Sequence, residues 1–168
     1  SAYLATSYAQ LGEVKEGRAF VEHYRRLYRH KGVLPATRAQ SVSMILLVLG
    51  IICGDIASAA AVLKQTRGAS GQPLESRLLC EGNLAALLLE MGRTQDSLDT
   101  CRASRLQAED RGFTYLSGSF LGTEAAATAG YGDLAHAESL MAEAIESACC
   151  PDDASNIAYN RVYRATIR

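Results

Sequence analysis

Apolar residues recur along this chain at three- and four-residue intervals, and the runs they form are broken at nearly regular distances by glycine. Such spacing lays one apolar stripe along a helix, whereas a half-buried strand alternates every second residue. Four glycines each close one apolar run and open the next: Leu11-Gly12-Glu13, Cys53-Gly54-Asp55, Met91-Gly92-Arg93 and Tyr131-Gly132-Asp133. They recur at a nearly constant interval of about 40 residues, the signature of a repeat array. Five residues past each comes a small side chain, Gly17, Ala59, Ser97 or Ala137, as needed where two antiparallel helices meet closely after a short turn. Seven residues before each stand Ala5, Leu47, Ala85 and Ala125, preceded by Leu4, Leu46, Leu84 and Glu124, so only the fourth copy interrupts an apolar position.

The three prolines give independent punctuation, because proline disfavours a helix interior. The step from Pro35 to Pro73 is one repeat long and the step from Pro73 to Pro151 is two, and the missing mark falls near Arg111-Gly112, another helix breaker. Helices are predicted over 2–11, 16–30, 36–52, 56–67, 74–91, 95–109, 114–130, 134–149 and 153–167. The fold class is all-α: an α-solenoid of about four helix–turn–helix hairpins with a period near 40, plus a C-terminal helix. The linkers are short and carry no low-complexity tract, which predicts one domain over 1–168 with repeats at 1–33, 34–71, 72–111 and 112–150 and a terminal helix at 151–168. Ser1 opens directly into a helical pattern without a leader, and the chain is expected to be a piece of a longer polypeptide.

These residues resemble tetratricopeptide (TPR) repeats, which place a small residue and a Leu in the first helix, Gly at the turn and Ala early in the second. The likeness is clearest in Asn83-Leu84-Ala85 with Glu90-Met91-Gly92, and in Gly130-Tyr131-Gly132-Asp133-Leu134 followed by Ala137-Glu138. The copies exceed the usual length of about 34 residues. In this they are similar to the long repeats in the C-terminal half of MalT-type regulators of the LuxR family, which implies a bacterial, cytoplasmic transcriptional regulator whose DNA-reading part lies elsewhere.

Composition narrows the function. Lys and Arg number 17 against 18 Asp and Glu, for a net charge of −1, so no global field draws the chain to nucleic acid or anionic lipid. The most apolar stretch, Met44 to Leu49 with Ile51 and Ile52, is far shorter than the roughly 20 residues that span a bilayer. Five cysteines, Cys53, Cys80, Cys101, Cys149 and Cys150, contain no CxxC pair and suit a reducing compartment. Cys53, Cys80 and Cys101 sit in apolar helical runs and are expected to pack as small hydrophobes. His23, His30 and His136 are scattered, and no metal cage, nucleophile–base pair or phosphate loop is legible, so the chain is read as non-enzymatic, with no cofactor and no metal.

Two candidate surfaces remain. The first helices of such hairpins line the concave side of the array, and one phase of the repeat gives Met44, Val48 and Ile51 in the second copy, Leu79 and Ala86 in the third and Ser119 in the fourth. Small and apolar types prevail there, and the Lys, Arg and Asn of a carboxylate clamp are missing. The expected partner is a protein or peptide presenting an amphipathic helix, or a small inducer, with self-association left open. The alternative is a nucleic-acid or phosphopeptide face on the basic helix, where Arg25, Arg26 and Arg29 lie opposite a core-facing stripe of Val21, Tyr24, Leu27 and Tyr28. A third reading is an auxiliary domain of a larger enzyme.

Overall fold

The computed structural model describes residues 15, 16, 19, 56–67 and 72–147. The turns expected at Gly12 and Gly54 and the helices expected over 2–11, 36–52 and 153–167 lie outside these residues. Lys15, Glu16 and Ala19 are helical. Five helices follow: α1 (Ile56–Arg67), α2 (Leu74–Glu90), α3 (Thr94–Asp110), α4 (Thr114–Gly130) and α5 (Leu134–Ser147). No strand occurs among the described residues. The boundaries agree with the expected spans to within a residue wherever both ends are described.

The turns explain why the chain breaks where it does. At the end of α3, the Gly112 N–H donates to the Glu109 carbonyl at 3.1 Å, and the Phe113 N–H reaches back to the Ala108 carbonyl at 2.9 Å. This reciprocal pair satisfies the last carbonyls of the helix and demands a left-handed residue between them. Gly112 supplies it at φ 72°, as Gly92 and Gly132 do at 71° and 87°. A left-handed glycine therefore follows each of α2, α3 and α4, at the Arg111-Gly112 break between copies as at the breaks within them. Helix starts are equally uniform: the N–H groups of Arg77, Ser97, Ser117 and Ala137 donate to the carbonyls of Pro73, Arg93, Phe113 and Asp133. Asp133 adds a side-chain cap, its Oδ1 accepting from the His136 N–H at 3.2 Å.

The chain divides into two compact units, Ser1–Met91 and Gly92–Arg168. In the first, α1 packs on α2: Ala59, Ala60 and Leu63 meet Leu84, Leu87 and Leu88, with Ile56 at the margin. In the second, α4 packs against both α3 and α5. The α4–α5 hairpin closes over Leu121, Ala125, Leu140, Met141 and Ala144, flanked by Ile145. Each large side chain removed from water there contributes about 1.5–3 kcal/mol. Because α4 has a helix on each side, residues around most of its circumference are buried, from Leu116 and Phe120 to Ala127 and Thr128. Ala59, Ser97 and Ala137, the small residues expected at the helix crossings, are all buried, as are the free thiols of Cys80 and Cys101.

Candidate functional site

The residues expected to form the groove fall on the less buried arc of each described first helix. On α2, Leu79, Gly82, Ala86 and Leu89 are half-buried and recur at three- and four-residue steps, so they share one face. On α4 the corresponding positions, one copy on, are Ser119, Gly122, Ala126 and Ala129; Ser119, Ala126 and Ala129 are half-buried and Gly122 is buried. Half-burial therefore recurs at these positions in both described copies, Gly122 excepted. Thr123 completes the open arc of α4, its hydroxyl turned back to donate to the Ser119 carbonyl at 3.4 Å. Leu79 and Ala86 share the face of α2 in the first unit, and Ser119 shares that of α4 with Ala126 in the second. Met44, Val48 and Ile51, like the alternative basic residues Arg25, Arg26 and Arg29, lie outside the described residues.

A charged network that the helical pattern alone did not reveal lies on another side of α4. Glu124 occupies an apolar repeat position, and only 4% of its side chain is exposed. Arg102 on α3 donates from Nε to Glu124 Oε1 at 2.7 Å, and Arg105 Nε stands 3.4 Å from Oε2. Arg105 also donates to Glu109 at 2.9 Å, and the Ser117 hydroxyl donates to the same carboxylate oxygen at 3.0 Å. Burial alone would lower the Arg105 guanidinium, but the Glu109 hydrogen bond and the carboxylates of Glu109, Glu124 and Glu143 hold it above its ordinary value. Next to this network, burial pushes the Cys101 thiol up to about 12, and the Glu124 carboxylate adds to the effect. The Ser97 hydrogen bond, Arg102 and Arg105 pull it the other way. A thiol so held is protonated and inert at neutral pH. The signal for the network was Glu124 itself, an acid where other copies have Leu, together with Arg102 and Arg105 one helical turn apart.

Among the described residues no group of three or more His, Cys, Asp and Glu could hold a metal ion. None of the described helices is long and apolar enough to cross a membrane. His136 is exposed.

Helices of one length, 17 residues in each of α2, α3 and α4, joined by glycine turns define an all-α array of tetratricopeptide-like hairpins. Two crystal structures of a Podosopora anserina chain described as a kinesin light chain with nearly identical TPR-like repeats, one of them a point variant, share this fold. They superpose with TM-scores of 0.68 and 0.67 over 99% of this chain and 82% of theirs, at 17% identity in each case. No family model matches the sequence, and no curated protein matches it.

Proposed function

We propose that this chain is a non-enzymatic interaction scaffold that receives an amphipathic helix on the open face of a first helix. The observation that carries the reading is the recurrence of half-buried small and apolar residues in one repeat phase, Leu79, Ala86 and Leu89 on α2 and Ser119, Ala126 and Ala129 on α4. Side chains of this size leave room for a second helix to approach closely, and they offer no charged anchor for an extended anionic peptide. In the same reading 1–168 is one functional module, with Met44, Val48 and Ile51 as the corresponding face of the second copy. The long repeats further support a place in a regulator of the MalT type, as the ligand-sensing and oligomerising segment of a cytoplasmic protein. A nucleotide-binding module before Ser1 and a helix-turn-helix after Arg168 in the parent reading frame would bear that out; a parent frame with neither would refute it.

The binding surface is tested by comparing capture from the native host by the wild-type chain and two variants, Ala126→Arg and Arg26→Glu, each checked for retained helicity. A partner lost with Ala126→Arg and kept with Arg26→Glu is the expected result. The reverse pattern would assign binding to the basic helix around Arg25, Arg26 and Arg29.

A further inference from the structure

Two helix–helix seams in this molecule follow one plan but are made of different material. On α2, Leu84 and Leu88 enter an apolar cluster with Ala59, Ala60 and Leu63 of α1. At the same two places on α4, one copy on, stand Glu124 and Thr128, both buried. On α3 the counterparts of Ala59, Ala60 and Leu63 are Ser97, Leu98 and Cys101, again all buried. Lys64 and Arg67 of α1, both exposed, correspond to Arg102 and Arg105, which in the second unit turn to the Glu124 carboxylate. The apolar seam has thus been rebuilt with a buried acid, two half-exposed or partly buried cations and small polar side chains.

The rebuilt seam is more polar than the first, although Leu98 and Cys101 stay buried in it. Glu124 Oε2 faces Arg105 without hydrogen-bond geometry, and the buried Thr128 hydroxyl also lacks a hydrogen-bond partner. The Thr128 hydroxyl forfeits its hydration without return, and the buried ion pair of Glu124 gains little over well-packed apolar side chains of the same volume. Opening to water hydrates all of these groups at once, against the exposure of Leu98 and Cys101. The opposite side of α4 offers no such gain: Leu121, Leu140 and Met141 form an apolar cluster in which every large side chain loses the benefit of burial on exposure.

We propose that the α3/α4 seam is a joint built into the fold, at which α3 parts from a closed α4–α5 hairpin in an opening well below global unfolding. The charged groups facing the joint are Arg102, Arg105 and Glu109 from α3, Glu124 from α4 and Glu143 from α5. The joint does not depend on what the scaffold binds, and gives the second unit a way to change the angle of α3 without losing the core of the hairpin.

Cys101 reports on the joint, being fully buried and near enough to Glu124 to feel its charge. The full chain is exposed to N-ethylmaleimide under native conditions, and modification of Cys101 and Cys80 is followed by peptide mass spectrometry. The comparison is with the double variant Glu124→Leu, Thr128→Val, which restores apolar material to the seam. Sealing the joint is expected to slow modification of Cys101 by about tenfold, as an opening equilibrium would dictate, while Cys80 keeps its rate. Removing the Glu124 charge by itself makes the thiol easier to ionise, so a fall in rate cannot arise from thiol chemistry. An unchanged or faster rate at Cys101 would overturn the proposal. So would equal slowing at Cys80, which would mean that global unfolding is the route, and so would loss of helicity in the double variant.

Discussion

Glu124 sets the chemistry of its neighbourhood because its side chain is almost fully buried while its cations are not: Arg102 is 50% exposed and Arg105 23%. The cost of disruption is therefore asymmetric. Removing both cations in Arg102→Ala, Arg105→Ala strands a buried carboxylate and should cost about 3–5 kcal/mol, whereas Glu124→Leu leaves two arginines that can turn to water and should be close to neutral. Urea unfolding of the two variants measures the difference, and equal losses would show that the carboxylate is not buried as described. Cys101 gives a second residue-scale expectation. Below an ordinary thiol value of 9.0 both folded and unfolded states keep the proton, so the residue adds no pH dependence. Above it the unfolded thiol ionises while the folded one stays protonated until about 12. The unfolded state then binds fewer protons, and stability falls as pH rises through this window, by up to about 1.4 kcal/mol per unit. Cys101→Ala should flatten the alkaline limb of the stability–pH curve relative to the wild type.

At the scale of elements, the sequence made α1 to α5 legible because two signals coincide in it: an apolar stripe of helical period and a glycine where the stripe ends. Gly112 shows the limit of that reasoning. Read beside Pro73 and Pro151 it marks a boundary between copies, and its left-handed backbone shows that this boundary uses the same kind of glycine as Gly92 and Gly132 within the copies. Proline and glycine act through different backbone angles, and only the coordinates show which one a given boundary uses. The open arcs of α2 and α4 were legible for the same reason as the helices, since burial follows the helical period. The Glu124 network was not, because Arg102 sits 22 residues away on another helix and helical periodicity does not specify contacts across a turn. The turn chemistry yields a paired prediction. Gly112→Ala forces an alanine to φ 72° and should cost about 1–2 kcal/mol. Gly130→Ala lies inside α4, where the new methyl would meet only Thr94 Cγ2 at 3.9 Å, and should be neutral or stabilising by about 0.5 kcal/mol. Matching shifts of the thermal midpoint in the two variants would contradict the turn geometry.

At the scale of the whole molecule, a repeat array draws its stability from contacts between elements close in sequence, and the two compact units meet at Met91 and Gly92. Each has a core of its own: Ala59, Leu63, Leu84 and Leu88 in the first, and Leu121, Leu140, Met141 and Ala144 in the second. The cut between them falls in a glycine turn, so separating them severs no helix. In the second unit the apolar hairpin α4–α5 can form locally, its two strips being joined by the short turn at Gly132, and low sequence separation keeps the entropy of closure small. The polar seam to α3 adds less. A fragment of residues 92–168 should therefore fold with a cooperative thermal transition, at a lower midpoint than the full chain. Within it, α3 amides should exchange with solvent faster than those of Leu140 and Met141. Circular dichroism and native-state hydrogen exchange on the fragment provide the check. A fragment without cooperative unfolding would mean that Gly92–Arg168 depends on the first unit for its fold, and that the hairpin core around Leu121 and Met141 is too small to stand alone.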